Sequence, residues 1–452
     1  MATWNKVQIS YVNSKRRIDS EFYRLEDIIL EDHLTRACSG KKIRDFSFEI
    51  KDRFKKTFYS DNYFQYNDIG NTDLFFGFIN KNLIKIKDAP GRACFINEYN
   101  DILISTVRPN RNANAIVDHS EFLQVGSNGF CNLRTKGVDP NYIFIISKSK
   151  QFIQNVSRAS TSSMYPSITN RDILDSPFFL PNTKELCEIA EKVKRSRILL
   201  RKASELYSQA TQLLERELGL DKTSFINDLH FRTGFSKILL SRRIDSQHFK
   251  PGFGQLIAHL GKNFNTLKLG NIVSKNRRGI QPVYVSNGKI NVVNSQHITP
   301  VHLAYDNFET TSEKEFNLHP EAHIQYGDIL VYTTGAYVGQ TNPYLSTEPA
   351  LASNHVNLLR VKTDIDSVYV ALVLNTLTGK LQTEQHSRGS AQAELYPQDI
   401  AKFIIPLLPE TTMNEIGNLV RESLKALHSS KELLAQAKSE VETLIEQAAT
   451  KA

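Results

Sequence analysis

"RRIDSEFY" occupies residues 16–23 and "RRIDSQHF" residues 242–249. The first five letters are identical, the last is aromatic in both, and the two stretches lie 226 positions apart, half of the 452-residue chain. Three more echoes follow in the same order. "DILISTV" (101–107) returns as "DILVYTT" (328–334), and "VDPNYIFIISKS" (138–149) as "IDSVYVALVLNT" (365–376). "YPSITNRDILDSPFFLP" (165–181) returns as "YPQDIAKFIIPLLP" (396–409). Ordered echoes at a nearly constant offset mark an internal duplication, the feature that most constrains the fold. Between the echoes the text diverges, and "KDRFKKTFYSDNYFQYNDIG" has no twin.

Each copy ends the same way. A proline closes an apolar strand ("FFLP", "LLP"), and a long segment of helical period follows. In the first, Leu186, Ile189, Val193, Leu200, Ala203, Tyr207, Ala210 and Leu214 recur at alternating steps of three and four, with a gap at Ser196. In the second, Met413, Ile416, Val420, Leu427, Leu434, Ala437, Val441 and Leu444 do so, with gaps at Ser423 and Ser430. A period of 3.5 held this long predicts a coiled-coil helix, and two such helices at matching places predict that they pair.

The stretch before each helix is mixed. "RRIDSEFYRLEDIILEDHL" reads as a short helix with Leu25, Ile28, Ile29 and Leu34 on one face. "LIKIKD", "DILISTV", "FLQVGSN", "VYVSNGKINVV" and "HVNLLRV" read as strands separated by Gly, Asn, Asp and Pro. "YIFIISKSKQFIQNV" and "VYVALVLNTLTGKLQ" each read as one helix packed on the strands. The fold class is therefore α+β. Two tandem repeated α/β domains span 1–181 and 221–409, each followed by a long helix, 182–220 and 410–452, and the helices pair as a coiled coil.

The net charge of +8 favours an acidic partner such as nucleic acid. Cys38, Cys94, Cys131 and Cys187 form no CxxC pair and read as reduced thiols of a cytoplasmic protein. The start, "MATWNKVQIS", is polar and does not read as a signal peptide. No apolar run reaches the ~20 residues that span a bilayer. Catalytic motifs are wanting. "TNPYL" (341–345) lacks the second proline of the tetrapeptide that holds a flipped adenine. "FEIK" with Asp32 offers a carboxylate–lysine pair in one copy only, and "GFG" (252–254) is followed by no GK[ST].

In this arrangement the chain resembles the DNA specificity subunit of Type I restriction–modification systems. The marks are the "RRIDS" openings, the "NDILI" and "GDILV" strands, and the late "ITNRDIL…FFLP" and "YPQDI…IPLLP" segments, in an order covering nearly the whole chain. The resemblance implies two target-recognition domains on an antiparallel helical spacer, reading a bipartite DNA sequence in phage defence. It implies a non-catalytic chain that binds no AdoMet, ATP or metal. Two copies of a methyltransferase (modification) subunit would carry AdoMet and methylate adenine N6, and a restriction/translocase subunit would bring ATP and Mg. The alternative is a coiled-coil assembly scaffold whose repeated globules bind protein.

DNA contact needs cations for phosphate and polar or aromatic groups for bases. In the first copy the candidates are Lys55 and Lys56 among aromatics, Arg108 and Arg111 just after a strand, and Arg158, Ser162 and Tyr165 in a Ser-rich stretch that also holds Lys148 and Lys150. In the second they are Arg277 and Arg278, Tyr337 and Gln340 in the Gly-rich "TTGAYVGQTN", and Arg388, Gln392 and Tyr396 in "HSRGSAQAELYP". Arg158 and Arg388 stand at similar places in the repeat and are expected on phosphate. The basic "KVKRSRILLRK" (192–202) reads as a helix surface.

Overall fold

Asp101 and Asp328, the first letters of the DIL echoes, decide how each sheet is built. Each carboxylate is almost wholly buried, at 2% and 1% exposure. Each accepts a backbone N–H three residues before it, Glu98 at 2.6 Å and Gln325 at 2.7 Å. Each also takes a two-pronged arginine from the neighbouring strand: Arg134 at 2.9 and 2.9 Å, Arg360 at 2.8 and 2.8 Å. A buried carboxylate survives only when paired and hydrogen-bonded, and here both conditions are met twice. The strands that follow, Ile102–Ser105 and Ile329–Tyr332, are buried nearly throughout.

The computed structural model describes residues 6–59, 62–160, 164–225, 230–362, 365–389 and 392–451. The chain divides into two units, residues 1–200 with 427–452, and residues 201–426. The same two four-stranded sheets occur in each. In the first unit an antiparallel sheet runs in the order Ser47–Glu49, Phe130–Thr135, Ile102–Ser105, Ala115–Ile116. In the second the order is Val273–Arg278, Val356–Val361, Ile329–Tyr332, Thr341–Pro343. A further sheet has two parallel central strands with antiparallel neighbours. The central pair is Tyr63–Asn67 with Leu123–Ser127 in the first unit, and Ile290–Val293 with Ala350–Ala352 in the second.

A helix buried almost all round fills each unit. Pro140–Lys148 starts at Asp139, whose carboxylate caps Asn141 N–H at 2.8 Å. Ser367–Asn375 starts at Asp366, which caps Val368 at 2.9 Å. One helix was expected in each of these stretches, and two are found. Ser149 Oγ donates to Ile146 O and accepts from Phe152 N–H, ending one helix and starting Lys150–Arg158. Thr376 Oγ1 donates to Val373 O before Leu377–His386. Hydroxyl bonds to nearby backbone break the helical run.

Other elements also depart from the sequence reading. Leu25–Cys38 is a helix, but Leu25 and Ile29 are exposed, and the buried residues are Asp27, Leu34 and Cys38. Asp27 turns inward to accept from Gln154 Nε2 at 2.8 Å. "IIPL" (404–407) is a strand paired with Asn265–Lys268, whereas "FFLP" (178–181) is not, the pairing shrinking to a bridge between Lys42 and Pro177.

The long helices span Thr183–Glu217 and Glu410–Lys451. In the first unit Lys192 meets Glu440 at 2.5 Å, and Ser196 meets Ser430. One sequence rises while the other falls, so the pairing is antiparallel. The gaps in the apolar pattern are hydrogen bonds between backbones that approach closely. Ser196 Oγ donates to Ser430 O at 2.7 Å and Ser430 Oγ returns a bond to Ser196 O at 2.8 Å. In the second unit Ser423 Oγ donates to Ala203 O at 2.6 Å. The basic 192–202 segment is not all surface: Arg197 is 9% exposed and donates to Asn100 Oδ1 and Asn141 Oδ1, tying helix to sheet layer.

Candidate nucleic-acid interface

Two loops are stapled together at the same place in each unit. One follows the DIL strand, and the other follows the helix ending at Arg158 or His386. In the first unit Arg108 N–H donates to Pro166 O at 2.7 Å and Ile168 N–H to Thr106 O at 2.9 Å. In the second Gly335 N–H donates to Ala393 O at 3.0 Å and Leu395 N–H to Thr333 O at 2.9 Å. All four positions repeat at an offset of 227. Arg108 and Gly335 both have positive φ, +49° and +128°, so the turn is kept although the residue is not.

This register corrects one echo. Matching "YP" to "YP" sets Tyr165 against Tyr396, but the backbone bonds set Tyr165 against Gln392 and Thr169 against Tyr396. Both members of the latter pair are the N-cap of a short helix, Asn170–Leu174 and Pro397–Ile400. The same offset sets Arg158 against Gln385, and Arg388 against 161, which lies outside the described residues, as does Ser162.

The first unit's paired loops carry an exposed aromatic–cation group. The Arg108 guanidinium lies 5.3 Å from the Tyr165 ring, which is 62% exposed, and Met164 beside it is 78% exposed. Arg111 is exposed on the 3-10 turn Pro109–Arg111. Lys148 holds this loop from beneath. Its Nζ donates to Asn112 O at 3.0 Å, Asn114 O at 3.2 Å and Leu74 O at 2.7 Å. Burial pulls its pKa down to about 7 against the opposing pull of the Asp73 carboxylate, and the three carbonyls match the three donors of an ammonium. Lys148 is thus a support and not a surface cation, and Lys150 is paired with Glu446 at 2.8 Å.

Arg158 is also turned inward, with 6% of its side chain exposed. It donates to Glu31 at 2.6 Å, Phe22 O at 2.8 Å and Tyr11 Oη at 3.1 Å, and stacks over Phe22. In this arrangement it has no face to offer phosphate. Burial works to raise the pKa of Glu31, but Lys15, Tyr11 and Arg158 outweigh it and hold the carboxyl at about 2. Lys55 and Lys56 are exposed on a separate segment, with Lys55 Nζ 5.2 Å from the exposed Phe58 ring.

In the second unit an open cleft of about 990 Å³ lies beside the paired loops, lined by Arg242, Tyr337, Gln340, Lys380, Arg388 and Gly389 among others. Tyr337 is 62% exposed. Gln340 O accepts from Tyr332 N–H at 2.8 Å, closing the Gly-rich turn. Gln392 is exposed at the loop tip. Arg388, half-exposed, leans on buried Asp399 at 2.7 Å. Arg278 and Tyr396 face inward toward this loop's stem. Arg278 donates to Glu394 at 2.7 Å and Leu395 O at 3.0 Å and stacks over Tyr396, whose hydroxyl donates to Glu394 at 2.5 Å. That bond raises the Tyr396 pKa and lowers that of Glu394. Arg277, next along the strand, is exposed. Sequence reading missed the backbone staples, because hydrogen bonds between main chains leave no residue-type signature.

The sequence profile of the Type I restriction modification DNA specificity domain matches residues 261–443. Residues 261–443 thus carry a sequence similar to the Type I restriction modification DNA specificity domain. The first unit repeats the two four-stranded sheets and the staples of the second. No curated protein matches its sequence. Solved structures similar to this chain include an HsdS subunit from Thermoanaerobacter tengcongensis, at 18% identity and TM-score 0.32, covering 91% of this chain and 95% of that one. A Type I system S subunit from M. genitalium is 14% identical with TM-score 0.46, covering 90% and 95%. A chain from a type I R-M system studied for complex assembly and conformational transition is 19% identical with TM-score 0.32, covering 91% and 96%. Among the described residues of the chain no three His, Cys, Asp or Glu side chains cluster as a metal site, and no helix is long and apolar enough to cross a membrane.

Proposed function

We propose that each unit reads one word of a split DNA target with its stapled loop pair. The observation carrying this is that the staples are the same in both units while the exposed side chains differ. The first unit offers Arg108, Arg111, Met164 and Tyr165, with Lys55 and Lys56 as outlying phosphate contacts. The second offers Tyr337, Gln340, Arg388 and Gln392, with Arg277 nearby. Arginine suits the acceptor edge of guanine and glutamine the mixed edge of adenine, each good bidentate pair giving ~1–3 kcal/mol of discrimination. Phosphate contacts set register without reading sequence. Arg158, Arg278 and Tyr396 shape these loops from inside.

The chain would work in the cytoplasm, with two methyltransferase subunits carrying AdoMet and a restriction/translocase subunit carrying ATP and Mg. Its task there is to place an adenine N6 methyl transfer in each half of the target. The residue ranges 1–181 and 221–409 are the proposed recognition domains, and 182–220 and 410–452 the spacer. The test is selection of duplexes from a random pool by the chain with its methyltransferase subunit. Two short words at a fixed gap are expected. Retention of no preferred sequence at low salt refutes the reading.

A further inference from the structure

Arg17 and Arg243, the second letters of the duplicated opening, hold the place where the second loop of each pair leaves its helix. Arg17 Nη1 donates to Ala159 O at 2.9 Å and Nη2 to Ser160 O at 3.1 Å. Arg243 Nη1 donates to His386 O at 3.0 Å and Nη2 to Ser387 O at 2.8 Å. These carbonyls stand at the ends of the helices Lys150–Arg158 and Leu377–His386, where the last C=O groups have no partner within the helix. A cation there also answers the negative end of the helix dipole.

The spacing R-x-D follows from the geometry. Asp19 and Asp245 grip the two guanidinium groups from the other edge. Arg17 Nε and Nη2 donate to Asp19 at 2.8 and 2.7 Å, and Arg243 Nε and Nη2 to Asp245 at 2.8 and 2.6 Å. In extended backbone, residues i and i+2 share a side and the residue between points away. Ile18 and Ile244 accordingly stand 95% and 92% exposed. The carboxylate fixes the plane of the fork and leaves the outward N–H groups aimed at two successive carbonyls. The arginines are well covered, at 23% and 9% side-chain exposure.

From these positions the chain runs directly into the loops that carry Tyr165 and Gln392. The far end of each loop is fixed by the staples described above. The near end is fixed by the clamp, and four of the five positions between, 161–165 against 388–392, differ between the units. We infer that Arg17 and Arg243 are positioning residues for DNA reading, each governing the word read by its own unit. This rests on the reading under Proposed function.

The test uses the full chain in complex with its methyltransferase subunit and duplex selection from a random pool. Arg17→Gln and Arg243→Gln are each expected to lower preference for one word roughly tenfold, with the other word kept, and the two variants should affect different words. Hydrogen exchange of amides following His386 should quicken in Arg243→Gln and not in Arg17→Gln. Where a glutamine variant fails to accumulate, Asp19→Asn or Asp245→Asn frees the fork from its grip while keeping the cation. It should weaken the same word by a smaller factor. A general loss of stability would lower affinity for both words alike, and that result overturns the inference, as does unchanged preference in a variant whose loop exchange has quickened. A wild-type chain that selects no split sequence refutes the underlying reading instead.

Discussion

Arg158→Gln separates an inward arginine from a phosphate contact, because the two roles predict opposite measurements. The substitution removes the 2.6 Å ion pair with Glu31, the 2.8 Å bond to Phe22 O, the 3.3 Å bond to Asp27 O and the stacking on Phe22 at 4.1 Å. Breaking a fully buried pair costs about 3–5 kcal/mol. Glu31 keeps Lys15 and Tyr11, and glutamine can restore part of the donation, so the loss should be nearer 2–3 kcal/mol. For a unit of this size that is a fall of about 5–10 °C in the first unit's melting temperature. Calorimetry reads that fall. Affinity for target DNA across a salt series reads the other quantity, and its slope should be unchanged. Arg111→Gln, on an exposed turn of the same unit, should do the reverse: an unmoved melting temperature and a slope reduced by about 0.9. If Arg158→Gln instead lowers the slope by about 0.9 and leaves melting untouched, the inward placement of Arg158 is refuted.

Three further outcomes follow from buried contacts. Asp328→Asn leaves Arg360 without its counter-charge, and should destabilise the second unit by about 3 kcal/mol in urea titration; an unchanged midpoint would show that the pair is not needed. Glu31 is held at about 2, below the 4.5 of an unconstrained glutamate, so the stability it contributes is complete above pH 5 and lost as pH falls toward 2. Because its side chain is 28% exposed, that loss should be roughly 2 kcal/mol; Glu31→Gln should flatten the acid limb of unfolding in the first unit, and an unaltered limb contradicts the assignment. Ala203 stands 227 positions before Ser430, so Ala203→Ser should complete in the second unit the reciprocal bond that Ser196 and Ser430 make in the first, adding about 1 kcal/mol. A fall in melting temperature would mean that the seam there has no room for the hydroxyl.

The duplication, the sheet-forming DIL strands and the long helices were legible because each leaves a pattern of residue types. Other features were legible only as irregularities. The serines at 196, 423 and 430 looked like gaps in an apolar seam, and are contacts. Ser149 and Thr376 looked like ordinary helical residues, yet both hydroxyls bond back to the end of one helix, and that of Ser149 also caps the next. Sequence composition fails for arginine in particular. Arg17, Arg158, Arg197 and Arg278 are all turned toward carbonyls or carboxylates, while Arg111 and Arg277 are exposed, and nothing in the local letters distinguishes the groups. A guanidinium has five donors, and where it points depends on which backbone carbonyls the fold leaves unsatisfied nearby.

That dependence also explains which letters the two copies share. Arg17 with Asp19, Asp101 with Arg134, and Asp139 as a helix cap each reappear 226 or 227 positions later, and each satisfies backbone groups or buried charge that any sequence in this fold must satisfy. None of them lies at a loop tip. At the tips the counterparts are unlike: Arg108 against Gly335, Arg111 against Val338, Tyr165 against Gln392. The staples at these loops are made by main chain alone, so they constrain turn geometry but not side chain, apart from the positive φ at 108 and 335. A loop built this way can change its side chains without disturbing the sheet beneath it. Two copies of one scaffold can then present two different sets of side chains, which is what the proposed reading of a split target requires. Had the loops been held by side chains at their tips, every change of word would have required a compensating change in the core.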